Sequence, residues 1–350
     1  LTGQPMIPVL IEGDTSDLLM AVIQRLRQMV GHEETEKDLI LSLLRHKRLL
    51  VIVDGLSERT AATQRHIEAI HSHLPVNVLI VTARRLPNFG PIEVTALGPA
   101  QLELTPLLYF LTEYLRCTGM SWFFSPHDRL LLGDRLLSVV EGGGGNLRVT
   151  PLLIRLFVDN AVTAIKQGQE PSEMPFSIPE AIVAYLKNVN PSDCATPGFV
   201  PDERMIPAAK TLARCSLEVR YIPRDFREEA AQEVLEREGF DTEEACSVID
   251  RLIANGILEA RASGATALLR FRLGPLAEYL AAMSWIDQLN GDRCRWANWL
   301  EQLQKQETYP EAMNGFLLAL ENCVRTYQDD LGIPDMAFPW VDLEAAETKS

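Results

Sequence analysis

Leu49-Leu50-Val51-Ile52-Val53-Asp54-Gly55-Leu56-Ser57-Glu58 decides how the first hundred residues are read. An unbroken apolar run with no polar alternation marks a strand buried in a sheet, and the Asp-Gly pair that follows ends it. Such a strand carries a carboxylate to the carboxyl edge of the sheet, where open α/β folds bind ligands. Outward from it, residues 6–11 (MIPVLI) are a second compact run closed by Gly13, and residues 76–82 (VNVLIVT) are a third. Between the first two, Leu18, Leu19, Val22, Ile23, Leu26 and Met29 recur at helical spacing, with Asp14, Thr15 or Ser16 as the N-cap. A second helix continues over 39–44, a third is read over 60–73, and 92–94 are expected as a short last strand before Gly98-Pro99. Strands without alternation, separated by helices, mean a parallel sheet covered on both faces. The class of this part is α/β.

Beyond Gly98 the strand signal stops. Residues 100–117, 126–140, 149–165 and 179–186 read as helices, broken at 142–145 (GGGG) and at the Pro- and Ser-containing stretch 171–179. A turn-rich linker, 188–201 (NVNPSDCATPGFVP), precedes three further helices over 204–219, 224–238 and 242–254. Two short strands at 257–260 and 267–271 flank Ser263-Gly264, and a helix follows over 274–289. Three helices, a hairpin and a helix fit a winged helix. A final helical pair, 296–304 and 309–327, leads into an acidic tail expected to be loose, and Trp285, Trp296 and Trp299 read as packing between that pair and the winged helix. The domain expectation is 1–98, 99–190, 200–290 and 291–350.

Composition narrows the function classes. A chain of 350 residues and 39.1 kDa has room for two or three domains. No apolar stretch approaches the roughly 20 residues of a membrane span, so no membrane association is expected. The formal net charge of −15 argues against a large phosphate-facing surface. Within 201–290, 11 Lys and Arg stand against 16 Asp and Glu, so DNA recognition by the third helix, 242–254, is disfavoured. Cys117, Cys194, Cys215, Cys246, Cys294 and Cys323 form no C-x-x-C pair and read as reduced thiols in a cytoplasmic protein. His66, His71 and His73 lack metal-ligand spacing and read as a solvated helix end. The opening at Leu1, in mid-domain and without a secretory signal, reads as a piece of something longer.

The chemistry-bearing residues sit at strand ends. Asp54 is placed to hold the water shell of Mg²⁺, which prefers oxygen ligands, and Glu58 to polarise an attacking water as general base. That is the layout of a Walker B element in phosphate-hydrolysing enzymes. Arg84, past the end of the adjacent strand, is within reach of a terminal phosphate. DGLSE (54–58) resembles the DG-x-DE signature of NACHT-type signalling ATPases, in the STAND branch of the AAA+ superclass, and IVTARR (80–85) resembles their sensor strand. Leu97-Gly98-Pro99 is similar to the family's exit into a small helical domain, and 146–154 (NLRVTPLLI) to its N-P-L-L-L helix. FRLGPLAEYLAA (271–282) resembles its winged-helix signature F-x-H-x-x-F-x-E-Y-L-A-A. The likeness covers roughly residues 5–285, with its five motifs in the family's order.

This resemblance implies a truncated P-loop (AAA+) nucleotide domain, a helical domain and a winged helix. It implies ATP or ADP with Mg²⁺ bound between the first two domains, Asp54 organising the metal, Glu58 the water, Arg84 the γ-phosphate and Pro151 the adenine face. Exchange would then release the winged helix for self-association and signalling, with effector and sensor domains elsewhere, and with at most slow ATP hydrolysis. Three departures stand against it. No G-x-x-x-x-G-K-[ST] occurs, and none of the seven lysines follows a glycine. Ser57 stands where the family often has Asp, and Leu273 occupies the histidine position of the winged helix. The competing expectation is therefore a nucleotide-free scaffold or autoinhibitory interaction module, and a weaker third is a winged-helix transcription regulator.

Overall fold

Neighbouring residues of the apolar strands meet opposite fates, and this shapes the first part of the molecule. Strands β1 (Ile7–Ile11), β2 (Leu49–Val53) and β3 (Leu79–Val81) form a parallel sheet in the order β1-β2-β3. Register aligns Val9 with Val51 and Leu79, and Ile11 with Val53 and Val81. Val9, Ile11, Leu49, Val51 and Val53 are buried against α1 (Leu18–Val30), α2 (Lys37–Arg45) and α3 (Ala61–Glu68), through Leu18, Val22, Ile23, Leu26, Ile40, Leu44 and Ile67. Pro8, Leu10, Leu50, Ile52 and Ile80, on the other face, take no part in this core, and Ile80 is 47% exposed. The reason is topological. Both crossovers step the same way along the sheet, and right-handed connections then place every helix on one side. Cover on both faces, expected from the unbroken apolar runs, is not supplied by this unit among the described residues.

In this computed structural model the described residues are 5–30, 37–46, 48–69, 78–83, 87–98, 104–142, 151–166, 177–190, 199–218, 220–263, 266–306 and 309–331. They fall into two compact units, Leu1–Gly98 and Pro99–Ser350. The expected strand at 92–94 does not form. Ile92 and Val94 are 43% and 41% exposed, and three residues without a neighbouring ladder offer too few hydrogen bonds to hold a strand. Helix α3, expected from residue 60, starts at Ala61 behind a Thr60 cap, and its last residue is Glu68. Residues 70–73 of the expected longer helix, and 76–77 of the expected strand, lie outside the described residues.

The second unit is built around helices α4 (Leu104–Cys117), α5 (Pro126–Gly142), α6 (Pro151–Lys166), α7 (Ile178–Val189) and α8 (Asp202–Leu217). Leu107, Leu111 and Leu115, spaced four apart, line the inner stripe of α4. Helix α7 opens with a capping box, in which Ser177 and Glu180 satisfy each other's backbone amides. After α8 come β4 (Phe226–Arg227), α9 (Glu228–Arg237), α10 (Thr242–Ala254), β5 (Leu258–Ser263), β6 (Thr266–Phe271) and α11 (Gly274–Leu289). Helix α9 begins at Glu228, not at 224 as expected, because Phe226 and Arg227 pair with Leu269 and Leu268 and complete an antiparallel sheet, β4-β6-β5. Helices α12 (Arg293–Gln304) and α13 (Asn314–Leu331) close the unit.

Helix α11 lacks an apolar stripe because it is buried almost all round: every residue from Leu276 to Ser284 is buried. It packs against both α8 and α13. Trp285, Trp296, Trp299, Tyr221 and Phe316 form one aromatic cluster joining α11, α12 and α13, with Trp296 edge-on to Trp299 at 5.7 Å and Trp285 5.3 Å from Trp299. The expected packing role of the tryptophans is what the cluster provides. Among the described residues no helix is long and apolar enough to cross a membrane.

One-sided burial in the parallel sheet has a direct test. Val51→Ala, in the helix-covered layer, should cost about 2 kcal/mol. Ile80→Ser, on the bare face, should change stability by no more than about 0.5 kcal/mol. Urea unfolding followed by circular dichroism distinguishes the two; equal losses would mean that the second face is also covered.

Candidate functional site

The carboxyl ends of the three parallel strands bring polar groups together, and Asp54 is the most firmly placed of them. Its amide donates to Ile11 O at 3.3 Å, so the strand pairing itself fixes its backbone. The hydroxyl of Thr82, just past β3, donates to Asp54 Oδ1 at 2.6 Å and accepts from the Gly55 amide at 2.7 Å. Leu56 N–H donates to Thr82 O at 2.8 Å. Gly55 turns the chain with φ 64° and ψ 42°, a left-handed conformation that a β-carbon disfavours. Arg59 then folds back, its Nη2 donating to Asp54 O at 2.8 Å. Asp54 is thus clamped by a neighbouring strand, and among the described residues nothing donates to its Oδ2.

A second carboxylate shares the edge. Asp14, after β1, accepts at Oδ1 from Thr60 N at 2.7 Å, from Thr60 Oγ1 at 2.9 Å and from Thr63 Oγ1 at 2.9 Å. It was a candidate cap for α1. Instead it ties β1 to the start of α3, and Asp17 serves α1 by accepting from Met20 N at 3.1 Å. Burial works against the Asp14 charge, but the Thr60 and Thr63 hydrogen bonds and nearby Arg59 outweigh it and hold the carboxyl below its ordinary range. Nor is His66 a solvated helix end: its Nε2 accepts from Leu18 N at 3.0 Å, which requires a ring with that nitrogen unprotonated. His71 and His73 lie outside the described residues.

The other sequence candidates are placed less fully. Glu58 ends the single 3₁₀ turn Leu56–Glu58, four residues past Asp54, and its side chain lies outside the described residues. Arg84 lies outside them altogether. Pro151 is the first residue of α6 in the second unit, with its side chain outside the described residues. Leu273 precedes α11 with extended dihedrals and no side-chain capping bond, and its side chain packs against the apolar core. Asp14, Thr82 and His66 were missed as site residues. Asp14 carried a signal, since it follows an apolar strand and a glycine much as Asp54 follows β2.

Mg²⁺ suits part of this donor set. It keeps most of its waters and takes one or two carboxylates, and Asp54 offers one carboxylate fixed through Oδ1. The described residues contain no group of three His, Cys, Asp or Glu side chains that would hold a metal ion without such help. In the second unit, Arg251, the one base on α10, donates through Nε to Asn190 Oδ1 at 3.0 Å. Asn190 also donates to Val200 O and to Asp202 Oδ1 at 2.9 and 2.8 Å, so Arg251 is engaged in the junction of α7, α8 and α10. Compared with models of known protein families and with characterised proteins, the chain matches none.

The Asp14 clamp makes the first unit acid-sensitive. A carboxyl with a depressed folded pKa stabilises fully above its unfolded value, about 3.9. That contribution is lost as the pH falls through the lower folded value. Thermal melts between about pH 5 and pH 2 should therefore show a steeper loss for the wild type than for Asp14→Asn. Equal slopes would show that the clamp does not hold in solution.

Proposed function

We propose that the chain is the switch portion of a NACHT-type signalling ATPase, in which ATP or ADP with Mg²⁺ at the carboxyl edge of the parallel sheet sets the conformational state. The supporting observation is the fixing of Asp54 by Thr82: a carboxylate at the sheet edge oriented by a hydroxyl that follows the adjacent strand. When bound, Mg²⁺ supplies positive charge to the phosphate oxygens. Asp54 orients the metal's water shell, Thr82 holds Asp54 in one rotamer, and the Asp14–Thr60–Thr63 clamp keeps the start of α3 at the same edge. Glu58, Arg84 and Pro151 carry the roles that the resemblance gives them. The apolar face that this unit's described helices leave uncovered is where a parallel sheet of this kind carries its second helical layer.

The succession α8-β4-α9-α10-β5-β6-α11, with strand order β4-β6-β5, supports a winged helix as the moving part. Its work in this reading is to change place in a two-state hinge biased by nucleotide, followed by self-association. The engagement of Arg251 by Asn190 and the acidic surface of α10 disfavour groove reading by a transcription regulator. One observation favours the alternative of a nucleotide-free scaffold: Leu273 packs into the core and brings no polar group to the start of α11.

Equilibrium binding of fluorescent ADP and ATP analogues, with and without Mg²⁺, separates the readings. The switch predicts Mg²⁺-dependent binding that Asp54→Asn abolishes and that Thr82→Val, which unfastens the carboxylate, weakens by about tenfold or more. Absence of binding at millimolar nucleotide, in the chain and in any longer parent that carries it, would leave the scaffold.

A further inference from the structure

Register puts three arginines on one face of the small sheet. Leu268 stands across from Arg227 on β4 and from Arg261 on β5, and Arg270 stands across from Glu259. Arg272 comes just past the end of β6, exposed, with its guanidinium beside Gly256. The opposite face, with Phe226, Leu269 and Phe271, is buried in the core shared with Leu235 of α9 and Val248 and Leu252 of α10. Glu259 and Asp225 lie 3.3 Å from Arg261 and 3.8 Å from Arg270, which offsets part of the charge. Across the strands and their ends, residues 225–227 and 257–272 hold four arginines against two acids. Behind the sheet the sign reverses: residues 228–250, covering α9 and most of α10, hold nine acids and one arginine, of which Glu233 pairs with Arg237, Glu238 with Arg214 and Glu244 with Arg204. Glu243 and Asp250, two turns apart on α10, are both exposed. In a chain of net charge −15, the outer sheet face is a local basic island.

We infer that this face docks on the α9–α10 face of a second copy of the chain, giving a head-to-tail contact. Opposite charge on opposite sides of one body favours a heterologous interface, in which each copy uses a different surface, over a two-fold one that would set like charges together. A polyanion such as duplex DNA is the poorer occupant, because the rest of the molecule repels it. Single exposed ion pairs contribute little, so the contact depends on several acting together and is sensitive to salt. This deepens the self-association in the proposed function but stands on the charge distribution alone. Nucleotide binding without this contact, or the contact without nucleotide, would tell the two apart.

The test is sedimentation velocity on the whole chain at about 50 mM and about 500 mM salt, where screening lengths differ several-fold. The wild type should associate at low salt and dissociate at high salt, which needs no variant. Arg227→Glu with Arg272→Glu, and separately Glu243→Lys with Asp250→Lys, should each weaken self-association by about tenfold or more while retaining the wild-type circular dichroism spectrum. Mixing the two variants should restore a heterodimer, since each supplies the face that the other has reversed. A wild type that is monomeric at low salt, variants that associate like it, or a mixture that stays monomeric would each overturn the inference. So would a salt-sensitive complex with a duplex oligonucleotide that the arginine variant alone abolishes while self-association persists.

Discussion

Parallel pairing of Leu49–Val53 with Leu79–Val81 is the constraint on which the first unit depends. Because Val53 is in register with Val81, the next residue on each strand, Asp54 and Thr82, must leave the sheet side by side. Shifting that register by one residue would turn Val51 and Val53 out of the core and part the hydroxyl from the carboxylate. Packing and chemistry are therefore set by the same backbone hydrogen bonds. The glycine at position 55 is part of that arrangement, since its left-handed turn lets its own amide reach the threonine hydroxyl.

The second unit depends on a different device. Helix α11 sits against both α8 and α13 and has almost no exposed side, so it acts as the pin around which the other helices are arranged. The aromatic cluster fastens α12 and α13 to it. The polar junction of Asn190, Asp202 and Arg251 fastens α7 and α10 to the start of α8. Apolar contact thus holds one end of the α8–α11 part and directional hydrogen bonds hold the other. Directional bonds have discrete arrangements, which suits a junction that must change state in the proposed switch.

Elements with a clear apolar pattern were legible from the residues alone: β2 and α10 stand at the residues expected and α1 runs one residue further, while the hairpin forms at its place with a first strand that continues to Ser263. The site was legible only in part. Asp54 declared itself by following an uninterrupted strand, whereas Asp14 spends its charge on Thr60 and Thr63, 46 and 49 residues away, which no local pattern reports. His66 was obscured in the same way by its bond to Leu18. Strand β4 has only two residues, too few for any period, and the helix-forming glutamates after it pulled the expected boundary forward. The one-sided helical cover of the sheet was hidden for another reason. A strand apolar on both sides states that both faces prefer cover, but it does not state which part of the molecule provides it.

Strand β1 has one property that reaches beyond the fold. Ile7 N–H bonds toward β2, through Arg48 O at 2.8 Å, so the next amide position along the strand faces away from the sheet. That position is Pro8, which has no hydrogen to give. Accretion of a further strand on this flank is interrupted at its first step. The far flank, Leu79-Ile80-Val81, contains neither proline nor charge to do the same. Lateral growth of the sheet, whether by a native neighbour or in misassembly, is thereby disfavoured on the β1 flank relative to the β3 flank.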